Sequence, residues 1–292
     1  MIREGDSVAA ALFVDKVPEL RTMPVVAQRA VRLAHDANST TTQLAECISL
    51  DPALASTVLR HANSAFYGAR EPIRDIVSAI IMLGFRPVCE LAVAASLQAV
   101  DTSDPEAEAR WRRTLAVATT ASRMACEIFD HRGSGETFVA GLLHDIGKVA
   151  LRRARPDTYD RCFANRLSEE DGYALCCALL GFHPGDLGAA IARAWSLGHE
   201  IADCAQYHAV SDALTQGRVT GEGAVLLWII QGAKLIAYQA FDRIPGEAAE
   251  VRLSWLCCGA PTDLIARDRY ESAWCAVRDK IVRAVAPPAR PT

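Results

Sequence analysis

The sequence predicts an all-α protein built as a multi-helical bundle. Apolar residues recur with helical spacing along most of the 292 residues, and no run alternates apolar and polar residues as a half-buried strand would. Helix start signals precede several of these stripes. Thr40 and Gln43 have the spacing of a capping box, and Asp51 followed by Pro52 pairs an N-cap residue with a first-turn proline. The hydrophobic content of 51% is enough for one large core or two moderate ones.

The same spacing predicts the helices in order. One begins at the Thr40 cap, and one spans 135–154 without interruption. The others are predicted near 23–34, 51–62, 74–84, 86–99, 105–129, 156–166, 169–181, 184–196, 199–209, 222–241, 247–256 and 262–285.

The polar turn Asp101–Pro105 is the best internal boundary, because it follows a compact run of helices. We therefore predict one domain over 19–242, with an N-terminal helical subdomain at 19–100 and a second subdomain at 105–242. A C-terminal helical extension at 243–286 and a disordered tail at 287–292 follow. The extension carries an apolar stripe that we expect to pack on the core: Leu253, Trp255, Leu264, Ile265, Trp274, Val277 and Ile281.

Composition excludes several classes of protein. The formal charge of −4 and the pI near 6.0 argue against a nucleic-acid partner, which calls for a basic domain or stripe. The most apolar stretch, Ala224–Ala237, is interrupted by Gln231 and Lys234 and is too short to span a bilayer. The ten cysteines lack paired zinc-ribbon spacing and are typical of reduced thiols. We expect a cytoplasmic protein with no membrane contact. Two short basic clusters are read as solvated helix faces: Arg110, Arg112, Arg113 and Arg152, Arg153, Arg155.

The dipeptide His144-Asp145 is the most informative feature of the chain. Adjacent on a helix, the two residues offer an imidazole nitrogen and a carboxylate to one divalent metal, which could activate a water beside a phosphate ester. Lys148 lies one turn after His144 on the same face, where its ammonium could meet a phosphate oxygen. A salt-bridged or solvated Lys148 is the alternative.

Motifs in both halves of the chain resemble those of the HDOD family (HD-related output domain), helical signalling modules of bacteria. The first half contributes Asp51-Pro-Ala-Leu-Ala, Val58-Leu-Arg-His-Ala-Asn-Ser-Ala-Phe-Tyr-Gly68 and Ala79-Ile-Ile-Met-Leu-Gly84. The second half contributes Trp111-Arg-Arg-Thr, Phe138-Val-Ala-Gly-Leu-Leu-His-Asp-Ile-Gly-Lys148, Leu180-Gly-Phe182, Trp195-Ser-Leu197 and Tyr207-His208. The resemblance covers about 20 to 240 and implies an HDOD-like fold with a regulatory or scaffolding role, often linked to cyclic di-GMP or two-component pathways.

The resemblance also shows where the chain departs from catalytic relatives such as the HD-GYP phosphodiesterases. Their early histidine corresponds to Arg113, and a later histidine corresponds to Pro184, with His183 one residue out of register. Their paired histidines are reduced to His208, and the closing aspartate aligns with Lys234. His183 has a simpler alternative role as the cap of a helix start.

These replacements predict a degenerate site. The positive charges of Arg113 and Lys234 would repel the ion that the relatives bind, since a divalent cation needs neutral imidazole and anionic carboxylate. We expect Asp145 to pair instead with Arg113, Lys234 or both. The vestigial site then comprises His144, Asp145, Arg113, Lys148, His183, His208 and Lys234, and neither a catalytic residue nor a cofactor is expected.

Three functions are consistent with this reading. The leading one is a non-catalytic regulatory module that acts through signalling proteins. The alternative is a phosphohydrolase of nucleotides or cyclic dinucleotides, in which His144, Asp145 and His208 bind iron, manganese or zinc and Lys148 holds phosphate. The third is a metal-free sensor, in which Arg113, Lys148 and Lys234 bind an anionic nucleotide. The sequence leaves open whether the chain forms a homo-oligomer.

Overall fold

The computed structural model describes residues 4–17, 25–36, 38–63, 71–85, 87–89, 91–92, 105–129, 134–163, 169–210, 213–214, 216–240 and 271–278. Within these ranges every helix or strand assigned is a helix, so the protein is all-α as predicted.

The described helices are numbered in chain order. The first five are α1 (Glu4–Lys16), α2 (Val25–His35), α3 (Thr41–Ser49), α4 (Pro52–Ala62) and α5 (Ile76–Leu83). The next eight are α6 (Pro105–Phe129), α7 (Ser134–Leu143), α8 (Ile146–Ala154), α9 (Pro156–Phe163), α10 (Glu169–Leu180), α11 (Pro184–Ala194), α12 (His199–Tyr207) and α13 (Gly221–Ala240). A further helix, α14, occupies 271–278.

The capping hydrogen bonds predicted at the starts of two early helices are present. The hydroxyl of Thr40 accepts a hydrogen bond from the Gln43 amide (3.2 Å), and the Thr40 amide donates to the Gln43 side chain (2.8 Å). Asp51 caps α4 by accepting from the Leu54 amide at 3.1 Å. These contacts satisfy amides at the helix starts that have no partner within the helix.

Helix α1 is absent from the sequence prediction. Its apolar residues lie all around the helix rather than on one stripe: Ala10 and Val14 are buried, whereas Val8 and Leu12 are more than half exposed. A search for a single apolar face therefore finds no signal there.

The described helices pack in two groups. In the first, α3 contacts α2, α4 and α5. In the second, α6 lies against α7 and α13, α8 against α9 and α11, and α12 against α11 and α13. Helix α1 packs on α11 and so joins the second group. The predicted boundaries at 19–100 and 105–242 remain predictions.

Close helix approaches surround the His144-Asp145 pair. A side chain on Gly141 would place its Cβ 2.5 Å from the Cα of Ala118, so α7 and α6 touch through their backbones. A Cβ on Gly147 would collide with the carbonyl oxygen of Pro184 at the start of α11. Only glycine permits backbones to approach this closely.

The single helix predicted at 135–154 is wrong in one respect. The chain breaks at His144 and Asp145, which form a turn between α7 and α8. Asp145 is thus the N-cap residue of α8, and Lys148 lies in the first turn of that helix.

The C-terminal helix packs on the core as expected. Trp274 and Val277 are each 1% exposed and belong to the main hydrophobic cluster. The other residues of that predicted stripe, the end of the Val58–Gly68 motif and the tail at 287–292 lie outside the described residues. Among the helices that the structure describes, none is by itself both long and apolar enough to cross a bilayer.

Candidate functional site

His144 lies buried at the end of α7. It is 2% exposed, and its Nδ1 is 2.6 Å from the carbonyl oxygen of Gly141. A carbonyl can only accept, so Nδ1 carries the proton of the neutral ring and Nε2 presents a lone pair. The pKa of His144 is lowered to about 4, mainly by burial; the charge of Asp145 opposes this shift, and the charges of Lys234 and Lys148 add to it. His144 is therefore neutral near pH 7.

His208 has the same arrangement at the end of α12. Its Nδ1 is 3.1 Å from the carbonyl oxygen of Ala205, which leaves a lone pair on Nε2 of the neutral ring. That Nε2 lies 3.4 Å from the hydroxyl of Tyr173 and 3.7 Å from Oδ1 of Asp145. The ring of His208 meets that of His144 edge to face, with the centroids 5.0 Å apart. The two predicted histidines and Asp145 do lie together.

The second oxygen of Asp145 faces a lysine. Oδ2 is 3.2 Å from the ammonium of Lys148. The Lys148 nitrogen also lies 4.7 Å from the ring centroid of Tyr173 and 5.2 Å from that of Phe163. Lys148 is thus held by a carboxylate and two aromatic faces. This matches the alternative of a salt-bridged lysine.

The ion pair of Asp145 differs from the expected one. We expected Arg113, Lys234 or both to supply the cation, and the structure supplies Lys148. Lys234 is buried on α13 with its ammonium 5.2 Å from the Tyr238 ring centroid, and its charge acts on His144. Arg113 is half-buried on α6. Asp145 and Lys148 are an i, i+3 pair at the start of α8, where Asp145 is the N-cap residue.

His183 serves as the cap of α11. Its Nδ1 accepts a hydrogen bond from the Gly185 amide (2.9 Å), and its own amide donates to the Asp186 carboxylate (3.2 Å). The ring stacks on Tyr173, with the centroids 4.4 Å apart. Because Nδ1 is used as an acceptor, the neutral ring keeps its proton on Nε2. The capping alternative is the one that the geometry supports.

Two residues of the site were missed by sequence reasoning. Tyr173 on α10 contacts Lys148, His183 and His208 and so connects most of the candidate residues. Gln231 on α13 donates through its amide nitrogen to the carbonyls of Val210 (3.0 Å) and Tyr207 (3.4 Å). It thereby braces the turn that holds His208. No spacing in the sequence indicates either contact, since each joins separate helices.

The arrangement does not fit a divalent cation as it stands. Among the described residues, no group of three or more His, Cys, Asp or Glu side chains is placed to hold a metal ion. One oxygen of Asp145 faces an ammonium, and the positive charge of Lys234 acts on His144. Both charges oppose the binding of a second cation.

The two basic clusters converge in part. The guanidinium carbons of Arg110 and Arg152 lie 5.8 Å and 5.6 Å from the ring centroid of Tyr159 on α9. Arg110, Arg113 and Arg152 are half-buried, whereas Arg112, Arg153 and Arg155 are exposed. The prediction of solvated helix faces therefore holds for the three exposed arginines and not for the three half-buried ones.

Fold and site together define an all-helical domain of the HD-related type, in which the His-Asp pair sits at a helix break. The chain belongs to the HDOD family: the family model of the HDOD domain matches residues 20–211.

Solved structures support the fold. An HDOD domain protein with unknown function from Geobacter sulfurreducens is 22% identical, with a TM-score of 0.64 and coverage of 96% of this chain and 98% of that one. A candidate phosphohydrolase from Shewanella amazonensis SB2B has 22% identity, a TM-score of 0.64 and coverage of 95% and 98%. A candidate signal transduction protein from Marinobacter aquaeolei VT8 has 19% identity, a TM-score of 0.60 and coverage of 90% and 58%. At these identities the likeness shows the fold alone.

One curated relative is similar in sequence. An uncharacterized protein of Treponema pallidum (strain Nichols) is 22% identical over 197 residues, which are 67% of this chain. The matched region spans 38% of the length of that relative.

Proposed function

We propose that this chain is a regulatory signalling module that acts through protein partners and does not hydrolyse a phosphate ester. Membership of the HDOD family and the likeness to a candidate signal transduction protein support the regulatory role. The contact between Lys148 and Asp145 is the observation that carries the non-catalytic part.

That contact opposes metal-assisted hydrolysis in a specific way. A metal-dependent hydrolase uses an anionic carboxylate to hold the ion that activates water. The Asp145 carboxylate is already neutralised by an ammonium at 3.2 Å, and the Lys148 side chain is only 11% exposed. Displacing that ammonium would leave a cation in a half-buried position next to the incoming metal, which is unfavourable.

Metal content and turnover, measured on the same preparation, test the proposal. Iron, manganese and zinc are quantified in the purified chain, and hydrolysis of cyclic di-GMP and of bis(p-nitrophenyl) phosphate is followed. We expect substoichiometric metal and no turnover. Stoichiometric metal together with turnover of either substrate would overturn the proposal.

A substitution at Lys148 tests the physical cause. Lys148→Met removes the ammonium and keeps the length of the side chain, so Mn²⁺ should bind roughly tenfold more tightly than to the unsubstituted chain. Arg153→Met is the matched control, because Arg153 is an exposed cation on the same helix. Equal Mn²⁺ affinity in all three proteins would mean that Lys148 is not what opposes the metal.

The cytoplasmic location and the link to cyclic di-GMP belong to the same proposal. Fractionation of cells that express the full chain tests the first. Equilibrium binding of cyclic di-GMP to the purified chain tests the second. Sedimentation velocity tests whether the regulatory unit is a homo-oligomer.

The second candidate function is a metal-dependent phosphohydrolase. The imidazoles of His144 and His208 favour it, because both hold their protons on Nδ1, so that each Nε2 carries the lone pair that a metal ligand needs. In that case Asp145→Ala should abolish turnover while the metal-loaded chain stays folded.

The third candidate is a metal-free sensor of an anionic nucleotide. It is favoured by two lysine charges, those of Lys234 and Lys148, which both act on the same imidazole. It predicts saturable nucleotide binding without turnover, lost in Arg113→Ala. Saturable binding unaffected by that substitution would exclude Arg113 from the ligand site.

A further inference from the structure

Helix α1 lies outside the region matched by the HDOD model, yet it packs on the helix that His183 caps. Its inner face is fully buried at Ala10 and nearly so at Val14. Phe13 meets Phe182 with ring centroids 5.4 Å apart, and Phe182 immediately precedes His183. The apolar contact of α1 therefore falls on the turn that leads into α11.

A buried carboxylate provides the polar part of the same interface. Asp186 is 1% exposed and accepts hydrogen bonds from the Gln206 side chain (2.8 Å) and the His183 amide (3.2 Å). The hydroxyl of Ser7 on α1 lies 3.4 Å from the same carboxylate and 3.4 Å from the Gln206 amide nitrogen. A buried carboxylate depends on such donors, because each unmet acceptor is costly to bury.

The contacts continue from this turn into the candidate site. The carboxylate of Asp186 holds the backbone of His183, and the His183 ring stacks on Tyr173. The hydroxyl of Tyr173 then reaches His208 at 3.4 Å. Each step in this chain is a direct contact between described residues, so docking of α1 has a physical route to the site.

We propose that α1 is a latch: its docking through Ser7 and Phe13 holds the His183 turn, and its release loosens the contacts of Tyr173 with His183 and His208. The regulatory meaning of the latch rests on the proposed function. The latch itself does not, because release of α1 and loosening of the turn are measurable without any partner or activity.

Hydrogen–deuterium exchange on the full chain tests the latch. Ser7→Asp places a carboxylate beside Asp186, and Phe13→Asp places one against Phe182, so both should expel α1. Val8→Asp is the matched control, since it adds the same charge to the same helix at a side chain that is 62% exposed. Exchange in α13 reports whether each variant keeps its core.

We expect exchange in α1 and in 181–188 to rise together, by roughly tenfold, in Ser7→Asp and Phe13→Asp, with α13 still protected. Val8→Asp should leave both segments unchanged. Three results would overturn the latch: release of α1 without faster exchange in 181–188, no release in either inner-face variant, or equal release in Val8→Asp. Failure of the proposed function would show instead as metal-dependent turnover, whatever the exchange pattern.

Discussion

The ammonium of Lys148 lies 3.2 Å from Oδ2 of Asp145, while Nε2 of His208 lies 3.7 Å from Oδ1 of the same carboxylate. One oxygen therefore faces a cation of the chain itself, and the other faces an imidazole lone pair when His208 is neutral. The cation comes from the first turn of the helix that Asp145 precedes. The Asp145 carboxylate is therefore held by an ion pair within the turn and helix to which it belongs.

This ion pair should contribute measurably to stability. Asp145→Ala should lower the free energy of unfolding by about 1–3 kcal/mol, because it strands a half-buried ammonium. A double-mutant cycle with Lys148→Ala should give a coupling energy of about 1 kcal/mol. Urea unfolding measures both values. Asp157→Ala removes an exposed carboxylate from α9 and serves as the control. Additive effects of the two substitutions would show that the pair has no net coupling.

Local signals predicted much of this fold. The caps at Thr40 and Asp51 involve residues three apart, so the sequence of a single helix start is enough to predict them. The helix at 105–129 has the predicted bounds, because its signals are also local. The order of the motifs identified His144 and His208 as site residues, and in the structure their ring centroids are 5.0 Å apart.

Contacts between distant helices were beyond such reasoning. Tyr173 meets Lys148, His183 and His208 from three different elements, and no spacing along the chain encodes that meeting. The partner of Asp145 was missed for a different reason. Arg113 and Lys234 were expected because the resemblance aligns them with metal-ligand positions of catalytic relatives, whereas the partner is Lys148, three residues further along the chain.

Acid should destabilise the protein through His144. Its pKa is lowered from 6.5 to about 4 in the folded state, mainly by burial, so the unfolded chain binds the proton more tightly. The stability contributed by the neutral ring is fully present above pH 6.5 and is lost as pH falls from 6.5 toward 4. The total loss should be roughly 3 kcal/mol.

Urea unfolding at a series of pH values measures this slope. The variant His144→Gln should lose the component of the slope that belongs to residue 144. His199→Gln alters an exposed histidine and is the control, so it should retain that component. A slope that is the same in the protein and in His144→Gln would show that another group is responsible.

The close approach of α8 and α11 should be intolerant of any side chain. Gly147→Ala would push a Cβ into the carbonyl oxygen of Pro184, which is backbone and cannot swing away. We expect a loss of roughly 3 kcal/mol in the free energy of unfolding, because one helix must shift. Arg153→Ala, on an exposed residue of the same helix, should change stability by less than about 0.5 kcal/mol. Similar stability of both variants would mean that the helices can separate at little cost.

The contribution of Tyr173 to stability should have two parts, one from its ring and one from its hydroxyl. Tyr173→Phe keeps the stack on His183 and the ring beneath Lys148, and loses the contact with His208. It should cost about 0.5–1.5 kcal/mol of unfolding free energy, the net value of one hydrogen bond. Tyr173→Leu also removes the aromatic faces and should cost about 1–2 kcal/mol more. Phe163→Leu is the comparison variant, because it removes the other ring near Lys148 and the edge-to-face contact of that ring with Tyr173 (5.7 Å), but neither histidine contact of Tyr173. If Tyr173→Phe and Tyr173→Leu prove equally stable, the hydroxyl carries the whole role of Tyr173, and the cluster is tied together by that one contact to His208.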